Sequence, residues 1–505
     1  MALLEKPVAG TRGAARGGLA NMAGSVLAGG AGVVVTWVVA RSLGAEQAGA
    51  FFAATAAFVL AGGLAKLGTQ TGLVYWPARL RATGREHLLG ACLRTGLGPV
   101  AVLSVVLAVV MWFAAPAIAH VTAREAAHVV DAHTAGLRVL AVFLPLQAMT
   151  DALLTATRGY RAMRPTVMFD RILRSALQVL LVVGALWTTA SLPEFAFAWA
   201  VPYLPVTVLS AYALRKVYRE TKPRGVRTHR AERHEMRREF WRFTGPRALA
   251  SVAQLALQRI DVLLVAALGG LVPAAVYAVA GRFVILIQFA NQGISQSVQP
   301  RLAEALAVGE RAAANHLYRT ATGWLVLVTW PVNLLVIFFA PVWLRLFGER
   351  YAAEGVPVVA VLAAAMLVAT GCGMVDMVLA MAGRTSWNLV NVLVALTVTV
   401  VLDLLLIPAY GALGAAIGLA CSMVVNNLLP LIQVGRSAGL HPFGPGTRAA
   451  ALLSVVCFGV LPWAVMPVTG RTFAMFAAVP AFLAGAWLLR VPLALGAFKP
   501  KRRTS

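Results

Sequence analysis

Ionisable side chains inside long apolar segments are where this sequence has the means to do chemistry. Arg259 and Asp261 interrupt the apolar run 241–268, and Arg282 interrupts the next one, 273–298. A charge at the middle of a bilayer costs several kcal/mol on insertion scales, so each one needs a partner or a task. Residues two apart on a helix point about 200° apart, so Arg259 and Asp261 face different neighbours. At 1.5 Å per residue, Asp261 and Arg282 both lie roughly 12–15 Å below the turn that joins their helices. An Asp261–Arg282 ion pair inside that hairpin is one reading. The other puts Arg282 or Arg259 in a cavity facing a pyrophosphate. A guanidinium suits that task because its planar fork stays charged and binds phosphate oxygens in pairs.

Further positions belong with these. Lys66 follows an apolar stretch that resumes and runs on to Trp76. A continuous helix there makes Lys66 face a cavity from the inner half, and the alternative is snorkelling to the interface. Arg171 and Arg174 share a helix face, and Asp170 is spaced to pair with Arg174. They stand either at headgroup level or as a docking point for lipid-borne phosphates. Asp151 and Asp376 occur near the inner ends of their segments and invite two readings. One is proton coupling, because desolvation moves a buried carboxyl toward working pH. The other is capping or pairing with Arg158 and Arg384. Asp403 is expected at the outer interface, and Arg94 and Arg319 as anchors at the inner surface.

The elements that must hold these groups are transmembrane helices. The chain has 505 residues, 60% of them hydrophobic and 12% charged, and a mean hydropathy of +0.78. Soluble chains carry about twice that charged share. The apolar blocks are about twenty residues long, enough to cross about 30 Å of hydrocarbon as helices. About fourteen can be drawn, among them 19–40, 46–66, 165–189 and 472–490, with the longest outer segments expected near 115–132 and 342–354. Alternating ten-residue strands are absent, which excludes an outer-membrane barrel. The fold class is therefore all-α, a polytopic helical bundle.

The net charge of +25 is placed for topology. With the N-terminus inside, about 30 Lys and Arg fall in cytoplasmic segments and about five outside, as the positive-inside rule requires. Both termini then lie in the cytoplasm, and the cell membrane is the expected location. The largest cluster, Arg215 to Arg242, sits in a linker without aromatic interleaving, so nucleic acid is not an expected partner. Anionic membrane lipids are. Cys92, Cys372, Cys421 and Cys457 lie inside apolar segments, far apart, as small apolar residues. No metal, no cofactor and no catalytic residue is expected, and no P-loop is present. The chain does not read as an enzyme. The first apolar segment is too long for a signal-peptide core and reads as a retained helix.

Organisation follows from internal similarity. Gly44-Ala-Glu-Gln-Ala-Gly49-Ala-Phe51 and Gly270-Leu-Val-Pro-Ala-Ala275-Val-Tyr277 recur about 225 residues apart, as do Gly84 and Gly309, Arg94-Thr95 and Arg319-Thr320, and Asp151 and Asp376. Two six-helix lobes are expected, 19–214 and 241–434, flanked by a basic tail 1–18 and joined by a basic linker 215–240. A final pair of helices lies in 435–490 and a basic tail in 491–505. Two like lobes in one chain favour a carrier that rocks about a central site. Pro331 and Pro341 are expected to kink or end the ninth helix. Gly24, Gly29, Gly30 and Gly32 make the first helix either closely packed or flexible.

Three stretches resemble the polysaccharide-exporting flippases of the multidrug/oligosaccharidyl-lipid/polysaccharide (MOP) exporter superfamily. They are Ala40-Arg-Ser-Leu-Gly44-Ala-Glu-Gln-Ala-Gly49, Arg259-Ile-Asp261-Val-Leu-Leu, and Leu404-Leu-Leu-Ile-Pro408-Ala-Tyr410-Gly411-Ala-Leu-Gly414-Ala-Ala. Asp403 stands where the family commonly has Asn. The likeness covers roughly residues 18–434, on the scale of a whole carrier. It implies a polyprenyl-pyrophosphate-linked oligosaccharide flipped from the inner to the outer leaflet. It also implies a polysaccharide polymerase and glycosyltransferases as pathway partners. Two alternatives remain. One is a drug or small-cation exporter of the same superfamily, which needs an acidic cavity. The other is a membrane-embedded polymerase or glycosyltransferase, which needs larger outer loops.

Overall fold

The computed structural model describes residues 11–187, 191–221 and 229–493. Lys6, Lys499, Lys501, Arg502 and Arg503 of the basic tails lie outside the described residues, as do Lys222, Arg224 and Arg227 of the linker and the side chains of Arg12, Arg16 and Arg471. Every regular element among the described residues is a helix. Among the described residues ten helices are long and apolar enough to cross a membrane, and Leu271–Arg282 and Ala478–Leu488 are shorter apolar helices. The chain divides into two compact units, Met1–Ala278 and Val279–Ser505.

In the first unit, α1 (Thr11–Ala65) folds over at Gly44, where φ is 74° and ψ 171°. Glycine is the residue that takes such a conformation without cost. The two predicted spans 19–40 and 46–66 are thus the two arms of α1, one on each side of this kink. A Cβ on Gly49 would meet the Leu271 carbonyl oxygen at 1.8 Å, so the second arm runs against the backbone there. The continuous helix past Lys66, one of its two readings, does not form. Leu67 (φ 47°) and Gly68 (φ 64°) are both left-handed, and a new helix, α2 (Thr69–Ala82), begins. The break has a packing cause: a Cβ on Gly68 would lie 2.3 Å from Ala248 Cα.

Next come α3 (Leu89–Thr122) and α4 (Val130–Gly159), which form a long antiparallel hairpin. The expected outer loop 115–132 is largely the helical extension of these two. Predicted span 165–189 opens as a π-helix, Thr166–Arg174, continues as α5 (Ser175–Gly184) and ends in a 3₁₀ turn, Ala185–Trp187. The unit is completed by α6 (Leu192–Ala200), α7 (Tyr203–Thr221) and α8 (Arg230–Leu268). The basic linker is therefore helical on both sides of 222–228. It also does more than carry charge. Met236 and Phe240, four apart on α8, are fully buried in a core with Leu73, Leu80, Leu89 and Ala152.

The second unit contains most of α9 (Leu271–Ala307), then α10 (Arg311–Arg345), α11 (Glu349–Gly371), α12 (Val375–Met381), α13 (Thr385–Tyr410), α14 (Ala412–Ala438), α15 (Pro445–Val455) and α16 (Leu461–Leu488). Pro331 and Pro341 both lie within α10, which runs on to Arg345. The expected outer segment 342–354 shrinks to a short turn before Glu349. Asp403 is fully buried inside the α13–α14 hairpin, where a Cβ on Gly418 would stand 2.3 Å from its Oδ1. A close small-residue crossing encloses it.

Two helix ends share one conformation. Gly84 (φ 69°) and Gly309 (φ 76°) are left-handed. After them, Arg85 N–H donates to Leu80 O at 2.8 Å and Glu310 N–H to Ala305 O at 2.9 Å. This is the same glycine-terminated cap, closed by the same long bond.

Candidate functional site

The ionisable residues of the first unit gather where α1 breaks. Lys66 follows the last residue of the second arm of α1, a place that favours a cation because the helix carbonyls end there. Its Nζ donates to Asp151 Oδ2 on α4 at 2.7 Å. The pair is only 16% and 29% exposed. So neither snorkelling of Lys66 nor pairing of Asp151 with Arg158 describes what forms. Arg158, two turns along α4, turns its Nη2 to Thr155 Oγ1 at 2.7 Å. It stays within electrostatic reach of Asp151, Asp170 and Arg171.

The π-helix sets the next group. Its wider turn re-aims side chains relative to an α-helix, and such turns collect at functional places. Arg174 Nε donates to Asp170 Oδ1 at 2.7 Å, while Arg171 Nε stands 3.6 Å from Oδ2 of the same carboxylate. The fork of Arg174 is used further: Nη1 donates to Gln178 Oε1 at 3.0 Å. Gln178 in turn donates to the Trp199 carbonyl at 3.0 Å. The guanidinium lies 5.3 Å from the Tyr203 ring centre, a cation–π distance. Tyr203 packs with Phe58 and Trp199, which closes this side with aromatic surface. The first helix leans directly on the π-helix: a Cβ on Gly24 would be 3.0 Å from Arg171 Cβ.

Arg259 and Asp261 approach from α8. Arg259 is within electrostatic reach of Tyr203 and Asp261. Asp261 is buried and accepts hydrogen bonds from the Tyr277 hydroxyl and, at 2.8 Å, from the Val262 N–H. Asp261 is therefore a structural acceptor that ties α8 to the start of α9.

The remaining sequence candidates are in the second unit. Arg282 is half-buried on α9 and engaged by a neighbour. Asp376 is exposed at the start of α12, after a break at Gly373. Its backbone carbonyl accepts from Asn388 Nδ2 at 3.1 Å, and Arg384 stacks on Trp387 at 4.2 Å. Arg94 is exposed. Arg319 is half-buried and donates to the His441 ring, so it fastens α10 to the loop before α15.

The result in the first unit is a cluster in which Lys66, Arg158, Arg171, Arg174 and Arg259 outnumber Asp151, Asp170 and Asp261. Part of its hydrogen-bonding capacity is unused. Gln147 Oε1, Arg158 Nε and Thr166 Oγ1 are buried without a partner among the described residues. Buried polar atoms are nearly always paired; Arg158 Nε and Thr166 Oγ1 can donate to an anionic ligand, while Gln147 Oε1 can only accept, as from a sugar hydroxyl. Sequence reasoning named Lys66, Asp151, Arg171, Arg174 and Arg259 but missed Tyr203, Gln178 and the orphaned Gln147. A tyrosine and two glutamines in apolar helices carry no sequence signal that separates them from ordinary packing. No group of three or more His, Cys, Asp or Glu able to hold a metal occurs among the described residues.

A family model described as a polysaccharide biosynthesis protein matches residues 14–306. A second model, MatE, matches residues 246–405. No curated protein matches the chain in sequence. Solved structures do share the fold. One is described as the lipid II flippase MurJ in an inward closed conformation, with a TM-score of 0.73 at 12% identity, covering 94% of this chain and 99% of that one. Another is an inward-facing multidrug resistance MATE family transporter of the MOP superfamily, with a TM-score of 0.65 at 16% identity, covering 82% and 94%. A third is a MOP superfamily transporter from Pyrococcus furiosus, described by the reverse polarity of its binding pocket, with a TM-score of 0.56 at 16% identity, covering 84% and 95%.

Proposed function

This chain belongs to the polysaccharide biosynthesis protein family of the MOP exporter superfamily, and we propose that it is a flippase for a polyprenyl-pyrophosphate-linked oligosaccharide used in cell-surface polysaccharide synthesis. The observation that carries the reading is the cation excess around Arg174 and Lys66, at the place where α1, α4, α8 and the π-helix meet. A pyrophosphate is the group that needs it. Guanidiniums bind phosphate oxygens in pairs, and the site is dry enough for charge-assisted bonds to count. The lipid tail remains in the bilayer while the cluster is exposed to each side in turn.

The wider arrangement proposed with it has fourteen crossings, both termini in the cytoplasm and the cell membrane as location. It also has two lobes, 19–214 and 241–434, related by duplication. The matching caps at Gly84 and Gly309 support the duplication, as do the left-handed turns at Gly44 and Gly270. A polysaccharide polymerase and glycosyltransferases are the partners this pathway requires.

A drug or small-cation exporter is a second reading, favoured by the MatE match and opposed by the sign of the cluster. The test is deletion of the gene followed by mass spectrometry of the extracted lipids. Accumulation of a polyprenyl-pyrophosphate oligosaccharide, cleared by the wild-type gene, supports the flippase. Accumulation of a lipid-linked peptidoglycan precursor instead moves the substrate to that class. No glycolipid, with sensitivity to cationic dyes, hands the case to the exporter.

A further inference from the structure

The hairpin of α3 and α4 carries a second charged feature, away from the cluster. Between the helices runs a groove of about 480 Å³, lined by Trp112 on α3 and by Asp131, Thr134, Arg138 and Val142 on α4. Arg138 lies over the Trp112 ring at 5.6 Å. Its Nε is buried and has no hydrogen-bond partner among the described residues. Asp131 is exposed at the mouth. It is seven residues before Arg138, which places it about 10 Å further toward the helix end and on the same face. The flank of α3 is apolar and open: Val102 is 68% and Phe113 76% exposed, with Val105, Val106 and Val109 between them.

A cation set deep, an anion toward the water, an indole beside the cation and an apolar stripe below form one pattern. It complements a lipid whose head group carries phosphate on the inside and a positive charge on the outside. We propose that the α3–α4 groove binds an aminophospholipid, phosphatidylethanolamine in chemistry, with its phosphate on Arg138, its ammonium on Asp131 and a tail along the valine stripe of α3. A primary ammonium donates hydrogen bonds to the carboxylate. The quaternary head group of phosphatidylcholine cannot, and phosphatidylglycerol has no cation for Asp131. An indole beside a lipid head group is the usual company of a tryptophan at a membrane surface.

The test uses the whole purified chain in vesicles. Brominated phosphatidylethanolamine, phosphatidylglycerol or phosphatidylcholine is added at equal mole fraction, and tryptophan quenching is recorded. Trp112→Phe isolates the Trp112 signal from the other tryptophans. The expected result is a relative affinity for the ethanolamine lipid about three- to fivefold above the other two, the scale of one charge pair near a surface. Asp131→Asn brings that lipid down to the level of phosphatidylglycerol. Arg138→Gln lowers both, and Arg138→Lys keeps part of the preference, which separates lost binding from lost folding. Equal quenching by the three lipids at Trp112, or a preference that survives both Asp131→Asn and Arg138→Gln, overturns the proposal.

Discussion

Lys66 and Asp151 are 85 positions apart in the chain, yet their side chains meet at 2.7 Å. The contact exists because α1 stops at Ala65 and the backbone turns through two left-handed residues. A helix continuing through Lys66 would carry the ammonium past α4. The break thus places a cation at the edge of the cluster, within hydrogen-bond reach of Asp151.

The first prediction concerns that pair. Removing one partner of a buried ion pair leaves an uncompensated charge, whereas removing both costs much less. Asp151→Asn and Lys66→Met should each lower stability by about 1–3 kcal/mol, discounted from the fully buried case because both groups retain some exposure. The double variant should recover most of the loss. Thermal melts of the detergent-purified protein give the double-mutant cycle. A coupling energy near zero would mean that the pair forms no working link.

Arg174 supports the second prediction. Its fork serves Asp170, Gln178 and the Tyr203 ring together. Lys keeps the charge but has no fork. Arg174→Lys should therefore lower glycolipid translocation in reconstituted vesicles by about tenfold, equivalent to one charge-assisted hydrogen bond. Arg94→Lys, on an exposed position, should leave it unchanged. Equal rates for wild type and Arg174→Lys would remove Arg174 from the site.

Glycines provide the third. A Cβ on Gly414 would meet Leu406 O at 2.4 Å, while one on Gly30 has nothing within 4 Å. Gly414→Ala should cost about 1–3 kcal/mol by overpacking the α13–α14 hairpin. Gly30→Ala should leave stability unchanged or raise it by up to about 1 kcal/mol through helix propensity. If Gly30→Ala nonetheless slows transport, the first helix must bend during the cycle. If it does not, its glycines serve packing, as Gly24 does against Arg171.

The fourth concerns pH at the start of α8, outside the apolar part of that helix. Glu232 closes a capping box with His229. The His229 N–H bond holds its carboxyl below the ordinary value, helped by His87 nearby. A carboxyl with a lowered folded pKa contributes stability above its unfolded value of 4.5. That contribution fades as pH falls through the folded pKa. Melting curves taken from pH 7 downward should show a small loss below about 4.5 that Glu232→Gln removes. A loss that is the same in both proteins would put its origin elsewhere.

Much of the architecture was readable along the chain. Gly44 and Gly270 were legible as hairpin turns and Gly84 and Gly309 as matched positions, because each glycine marks a backbone state that other residues avoid. Asp170 and Arg174 were legible as a pair because helical spacing alone brings them together. The enclosure of Asp403 is not legible: its place near the end of an apolar run says nothing of a partner helix, and only the approach of Gly418 puts the hairpin around it. Nor is the packing of the linker, whose charge hides that Met236 and Phe240 anchor it in the core.

The sequence by itself determined that this protein is a bundle of membrane-crossing helices with cationic groups inside. That is a one-dimensional property: a segment of about twenty apolar residues satisfies its own backbone in lipid, whatever its neighbours do. The tertiary structure alone decided which charges meet. The link from Lys66 to Asp151, the seat of Arg174 against Tyr203 and the capture of Asp261 by Tyr277 depend on where one helix breaks and where another widens into a π-turn. Those events arise from contacts between helices far apart in sequence, such as Gly68 against Ala248, which no local spacing records.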